Sequence, residues 1–527
     1  MNHKILTLIF LISLGLYTVT GCKKSSLDLQ NPNEPGLPAL KTEEGIKRAA
    51  LGVYSKFGLE YWWLALSGHN AMGDATFISA GNFSWRWMNQ TSKITLSNGT
   101  ALTPPQGGAQ PSELRARNDR SYGNDNAFFN EWAAMYLVNN QCNLLLSVID
   151  DPGISFVGDA NTKKSTIKAF AYWWKAFAYS RIGSLYISGI IADKLNETNG
   201  NFVSNVMMIE EANKNFDLAK AELDKITNAD SYLNVLKAII PSFVYSDASP
   251  MTTAMWKRQI NTYKARNLLV NKKLAAMSAT DWNTIITLTN DGVQEGDHVF
   301  IMKATADPND QISTAWTPYR LLSFGWEFLS ERLVQDFKPG DARYTRNVRA
   351  MTTPVVNRSG RGYQYGTRWV LNDMVNGGDW ASTTYEVAQI PIGVSYEENA
   401  LMKAEALIKT NNANPGLTLI DAVRTYQNAS LNAVANTGLT DAQAYEELRK
   451  ERRIGLFLKN VAFYDARRWG VSSSDGQRTG AVVIGLGGVV DNNATIYYNY
   501  LDYWDVPKNE LDFNTPSTGS SPVVSPN

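Results

Sequence analysis

Apolar residues recur at alternating steps of three and four along several stretches of the chain. Ile209, Ala212, Phe216, Ala219, Leu223 and Ile226 form one series. Phe128, Trp132, Met135, Asn139, Cys142, Leu146 and Ile149 form a second, with Asn139 as its polar exception. Trp256, Ile260, Tyr263, Asn267, Val270, Leu274 and Met277 make a third, and Ile167, Phe170, Trp174, Phe177 and Leu185 a fourth, interrupted by Arg181. This spacing predicts amphipathic helices that bury one face. Shorter helices are predicted at Glu43–Phe57 and over 397–408, 417–426 and 441–458, the last opened by Thr440 as an N-cap. Long helices in succession suggest packed hairpins of the tetratricopeptide kind. No fixed period supports a true repeat, so the pattern alone leaves repeat and non-repeat packing open.

The first residues have a different character. His3 and Lys4 precede an almost wholly apolar run over 5–16, which leads to Val19-Thr20-Gly21-Cys22. The run is short for a bilayer span and lies where export signals are read. A branched residue, a small residue, Gly and Cys resemble the bacterial lipobox, so residues 1–21 are expected to be cleaved and Cys22 lipidated. Each buried methylene of an acyl chain contributes about 0.8 kcal/mol of anchoring. Residues 22–40 read as a polar, proline-containing tether, and 41–527 as a single folded domain.

Two stretches lack helical periodicity, 60–125 and 298–391, and both are predicted to be long irregular insertions. The helical scaffold then occupies 41–290 and 394–470. Disordered segments are poor in aromatics, whereas these hold many of the chain's 15 Trp, 24 Tyr and 19 Phe. They therefore read as ordered, ligand-facing loops. The tail over 516–527, rich in Ser, Pro and Thr, is expected to fray.

Composition removes several function classes. Lys+Arg and Asp+Glu are both 50, without the basic excess expected of a nucleic-acid binder. Cys22 and Cys142 are the only cysteines. With Cys22 lipidated, no intrachain disulfide can form, and Cys142 on its apolar stripe reads as an inert core thiol. Only His69 and His298 remain after the signal, both read as loop residues without partners, and HExxH is absent. No zinc site, P-loop or GxSxG elbow is found. Gly485-Leu-Gly-Gly-Val-Val lacks the last glycine of a dinucleotide loop. No cofactor is expected, and the sequence leaves bound calcium open.

Scattered motifs then align with one family. The lipobox and the tether from Leu27 to Pro32 come first, followed by Thr42 to Tyr54. Gly340-Asp341-Ala342-Arg343, the 403–407 and 422–424 segments, Glu446-Glu-Leu-Arg-Lys-Glu-Arg-Arg453, Phe463-Tyr-Asp-Ala-Arg-Arg-Trp-Gly470 and 506–514 follow in order. Together they resemble the SusD/RagB nutrient-binding lipoproteins of Bacteroidetes. The resemblance implies a mostly α, tetratricopeptide-like scaffold with long loop insertions. It implies a surface-exposed position on the outer membrane, and a SusC-like TonB-dependent transporter barrel as the partner over which the protein sits as a lid. The usual cargo would be oligosaccharide; some members take peptides.

Within that frame the aromatic loops are the functional candidates. A sugar ring burying about 50 Å² on Trp or Tyr, at about 25 cal/mol/Å², gains near 1 kcal/mol. Millimolar binding needs about 4 kcal/mol, so two or three platforms plus hydrogen bonds are required. Trp85, Trp87 and Asn89 form one candidate group, and Trp316, Tyr319 and Trp326 a second. The competing reading is that these aromatics fill satellite cores. If the first holds, Trp85→Ala weakens ligand binding without unfolding the protein. In the Glu446–Trp469 stretch, Glu447, Glu451, Asp465, Arg467 and Arg468 read as a structural ion-pair network. Function therefore reads as non-catalytic capture of oligosaccharide. The alternatives are a glycoside hydrolase with two carboxylates on one cleft, and a peptide-capturing lid.

Overall fold

The computed structural model describes residues 40–526, apart from 58–59, 80–83, 105–107, 242–243, 245–248, 303–326, 358–364, 373–377 and 381–388. The signal, Cys22 and the tether up to residue 39 lie outside the described residues, as do Trp316, Tyr319 and Trp326.

The fold is mainly helical. Each of the four long stripes becomes a helix, at Ala127–Val148, Ala160–Leu185, Asn205–Asp224 and Thr253–Val270. Their starts are set by side chains that accept otherwise unsatisfied N–H groups: Asn126 takes Phe128 N, Asp159 takes Thr162 N, Ser204 takes Met207 N and Thr252 takes Met255 N. The third stripe overruns its helix. The helix ends at Val270, and Leu274–Ala276 is a separate 3-10 turn. In the C-terminal half, Tyr396–Lys409, Ala413–Tyr426 and Asp441–Gly455 pack on one another around Leu401, Ile420 and Leu448.

The main core lies among the first long helices and is dense in aromatic rings. Trp173 stacks on Phe177 at 5.7 Å and meets Phe300 at 4.2 Å, while Trp174 meets Tyr54 edge-on at 5.5 Å. Trp132, Trp173, Trp174 and Trp256 are all fully buried. Each large apolar side chain so placed stabilises the fold by about 1.5–3 kcal/mol.

The two stretches expected to be irregular are not loops throughout. Residues 60–125 contain the helix Glu60–Met72, the short helices Trp85–Met88 and Gln110–Ala116, and strands Thr76–Ile78, Lys93–Thr95 and Ala101–Leu102. The Glu60–Met72 helix escapes a periodicity test because every residue from Leu66 to Met72 is buried. With no polar face over that turn and a half, no 3.6-residue stripe appears. The 298–391 stretch supplies strands Glu327–Leu329, Val348–Val356 and Tyr365–Leu371, with helices Glu331–Gln335 and Ala342–Asn347.

These strands and the hairpin Arg478–Gly485/Val490–Tyr497 build an eight-stranded antiparallel sheet. Its order is Thr76–Ile78, Glu327–Leu329, Tyr365–Leu371, Arg478–Gly485, Val490–Tyr497, Lys93–Thr95 and Ala101–Leu102, with Val348–Val356 also paired to Tyr365–Leu371. The sheet joins segments more than 400 residues apart: Ile94 faces Ile496 across two strands.

The tail is ordered, contrary to the expected fraying. Ser517 N and Ser521 N donate to Gly200 O and Phe202 O, each at 2.8 Å, and Val506 N donates to Val523 O. Ser525 is buried, with its N–H on Asp505 Oδ1 at 2.7 Å. A Ser/Pro/Thr composition disfavours a core but not a backbone ladder, and the ladder holds here.

Candidate functional site

Arg346 organises the most sugar-compatible cavity among the described residues. It sits in the Ala342–Asn347 helix, which begins after Gly340 (φ +84°) with Asp341 capping Arg343 N. Arg346 Nε and Nη2 donate to the two oxygens of Asp379 at 2.9 and 3.1 Å. Its Nη1 and Nη2 also donate to Asn428 O and Gln427 O at 2.9 and 2.8 Å, so one guanidinium joins the segment after the long strand to the end of the Ala413–Tyr426 helix. Asn347 adds a reciprocal pair with Asp379: its Nδ2 donates to Oδ2 and its Oδ1 accepts the Asp379 N–H, both at 2.8 Å. Gly378, at φ +100°, makes this turn; a Cβ there would come within 3.0 Å of Arg346 O.

This bracing presents Trp380 to a cleft of about 620 Å³. Trp380 is half-buried and meets Phe457 edge-on at 5.4 Å. Tyr426, 44% exposed, stands elsewhere on the wall against Tyr396, with ring centres 5.0 Å apart. Leu333, Phe337 and Ile454 line the apolar side. Asp379, Arg346, Gln427, Glu397 and Lys459 line the polar side. Burial alone would raise the Glu397 carboxyl, but Lys459, 3.1 Å away, and further hydrogen bonds hold it below its usual range. An apolar aromatic wall facing fixed donors and acceptors can hold a ring with an apolar face and a hydroxylated edge. The volume suits a ligand of a few rings.

The other predicted residues fall elsewhere. Trp85 is 1% exposed and Trp87 9%; both belong to the core. Trp87 is covered by the guanidinium groups of Arg86 and Arg117, 5.2 and 4.7 Å from its ring centre. Asn89 is buried, its backbone carbonyl 3.4 Å from the Tyr365 hydroxyl. The structure therefore does not bring this group to an open binding face. Trp380 lies within the aromatic-rich 298–391 stretch, whereas Arg346, Tyr426 and Phe457 carry no local signal.

The charged motif forms a buried network, in which Arg468 pairs with Asp465 at the spacing the sequence offers while most other partners lie far away in sequence. Glu451 accepts from Arg343 and from Arg424 Nε, the latter at 2.8 Å. Glu447 is held by Lys338 and Arg424. Asp465 takes Arg452 and Arg468, and Arg468 also forks onto Glu405 at 2.6 Å twice. Arg467 forms no ion pair among the described residues. It donates to the carbonyls of Ser184, Val270 and Asp502, so it closes the ends of two long helices.

His69 also differs from its reading as an unpartnered loop residue. It lies in the Glu60–Met72 helix, fully buried, with Nε2 3.1 Å from Glu131 Oε2 and 3.0 Å from Arg181 Nη2. Burial and then Arg181 push its pKa down to about 4. Burial raises the Cys142 thiol to about 12, which suits an inert core position.

Residues 326–520 match the sequence model of the SusD family. No curated protein matches the chain by sequence. Among solved structures, a SusD homologue from Bacteroides thetaiotaomicron superposes with TM-score 0.56 at 12% identity, over 92% of this chain and 98% of that one. A SusD-like carbohydrate-binding protein from Bacteroides fragilis gives 0.55 at 13%, over 90% and 98%. A SusD superfamily protein from Bacteroides vulgatus gives 0.52 at 14%, again over 90% and 98%. The 326–520 segment is therefore similar to the SusD family, and the fold of the described chain is SusD-like. At such low identity the structural likeness speaks for the fold. The family segment runs from the strand Glu327–Leu329 to the tail, and so contains both the Trp380 cleft and the charged network.

Proposed function

We propose that this SusD-like protein is a non-catalytic, nutrient-capturing lipoprotein that takes up oligosaccharide and delivers it to a SusC-like TonB-dependent transporter. The observation that carries the binding reading is the Trp380 cleft, where an aromatic ring and an Arg346-braced carboxylate line one cavity. A sugar ring would lay its apolar face on Trp380 and turn its hydroxyls to Asp379 and Gln427. The lipobox at Cys22 supports lipid anchoring at the outer membrane, with the domain facing the medium above its transporter. No described helix is long and apolar enough to cross a membrane, so the chain depends on that anchor or on its partner to stay there.

The carboxylates of the cleft favour binding over hydrolysis. A glycosidase's acid must hold a proton near neutral pH. Glu397 is instead held ionised beside Lys459, and Asp379 is forked by Arg346 and bonded to Asn347.

Calorimetric titration of the non-lipidated mature chain against a panel of oligosaccharides and peptides tests the assignment. One class of glycan should bind without being cleaved, and Trp380→Ala should weaken it about fivefold to tenfold, the share of one stacking platform. Peptide binding alone would replace the cargo class, and product formation would replace the function.

A further inference from the structure

A second cavity, of about 380 Å³, lies on the Asp336 side of the Glu331–Gln335 helix and is separate from the Trp380 cleft. Its lining carries four cations, Arg449, Lys450, Arg453 and Arg478, against three carboxylates, Asp74, Asp336 and Glu446. The balance is more positive than that count. Asp74 is already matched by Arg332, which forks onto both its oxygens at 3.0 and 2.6 Å. Two carboxylates therefore serve four cations.

Asp336 bears most of that load. Arg453 Nε lies 2.6 Å from it, Arg478 Nη2 3.0 Å and Arg449 Nη2 3.8 Å. Arg453 also donates to Gly73 O and Asp74 O, so it is fixed in place. Glu446 is forked by Arg449 at 2.8 Å twice and lies 3.7 Å from Lys450. With Arg449 forked onto Glu446, Asp336 still faces both Arg453 and Arg478, and a partly buried excess of charge is costly without a counter-ion. Burial, followed by the adjacent Arg453, holds Arg478 below its usual pKa in spite of Asp336, as expected of a cation short of negative partners. Trp469 lines the same cavity, and its buried Nε1–H has no hydrogen-bond partner among the described residues.

We propose that this cavity is an oxyanion-binding site, which takes the carboxylate of an acidic sugar or an inorganic anion of the same chemistry. Arg449 and Lys450 sit at its mouth, one quarter and one third exposed, where they can turn onto a ligand without opening the core. Arg453 and Arg478 form its fixed floor. Planar guanidinium groups match planar carboxylates and tetrahedral sulfate alike, so the site recognises charge and fork geometry first.

The test is calorimetric titration of the mature chain with sodium glucuronate, sodium sulfate and glucose at constant ionic strength. The wild type should bind at least one of the two anions saturably and should not bind glucose here. Arg449→Gln with Lys450→Gln, both partly exposed at the cavity mouth, should weaken that binding at least about tenfold while leaving the thermal midpoint nearly unchanged. Tighter binding of glucuronate than of sulfate assigns the site to an acidic sugar; equal binding assigns it to oxyanions in general. Failure of both anions to saturate, or an affinity unchanged in the double variant, overturns the proposal. Neither result bears on the Trp380 cleft, which is read by its own variant.

Discussion

His69 and Glu327 titrate in opposite senses over nearly the same pH window. Burial and Arg181 depress His69 from 6.5 to about 4, so its contribution to stability is complete above 6.5 and is lost as pH falls through 4. Burial raises Glu327 from 4.5 to about 7, partly opposed by the Thr76 hydroxyl 2.7 Å away. Its contribution is complete below 4.5 and is lost as pH rises through 7. Each shift corresponds to about 3 kcal/mol at full extent, so the two largely cancel. Urea unfolding between pH 4.5 and 6.5 should show a weak pH dependence in the wild type. Glu327→Gln should leave stability rising with pH across that window, and His69→Gln should leave it falling. Parallel slopes in all three proteins would refute the assignment. Trp85 shows how a single residue can mislead. With Trp87 and Asn89 it reads as a binding loop in the sequence, but the side chain is core. Trp85→Ala should therefore lower stability by about 3–5 kcal/mol in the same urea experiment, with ligand affinity intact in the folded fraction.

Elements with one wet face were legible in the sequence, and elements with none, or too short for a period, were not. The Glu43–Phe57 helix was read to both of its ends, and Asp441–Gly455 to its start, because Thr440 and Gln443 write the capping box into the sequence. Its end was overrun by three residues, since Leu456 and Leu458 continue the apolar pattern past the Leu456 C-cap while Leu458 adopts φ +60°. The sheet was missed for two reasons. Four of its strands are only two or three residues long, and Val348–Val356 is largely open to solvent on both faces, so alternation has no room to appear. The Trp380 cleft was half-legible: the aromatic stretch was visible, but Arg346, Tyr426 and Phe457 reach it only through the packing of three elements. The capping box supplies a test at this scale. Thr440→Ala removes the acceptor for Gln443 N and should cost about 1 kcal/mol. Because that helix carries Glu447 and Glu451, the loss should appear as a lower thermal midpoint rather than as local fraying.

At the scale of the whole molecule, distant parts of the chain close on one another. Arg467, from the C-terminal motif, binds carbonyls at the ends of Ala160–Leu185 and Thr253–Val270. The last residues return in the same way to the N-terminal half. The tail donates from Ser517 and Ser521 to Gly200 and Phe202, and Arg115 Nη2 reaches Ser525 O at 2.7 Å. None of these partners is near in sequence, and the tail's composition argues for fraying, so only the fold reveals the closure. A chain cut after Asn514 loses these bonds together with Val506 N on Val523 O and Ser525 N on Asp505. At about 0.5–1.5 kcal/mol for each net hydrogen bond, the loss of these five should destabilise the protein by roughly 2.5–7.5 kcal/mol. It also leaves buried Asp505 with Arg115 as its remaining charged partner. The expected reading is a lower urea midpoint with a nearly unchanged slope, since little additional surface is exposed on unfolding. A tail that merely frayed would leave both quantities where they stand in the full chain.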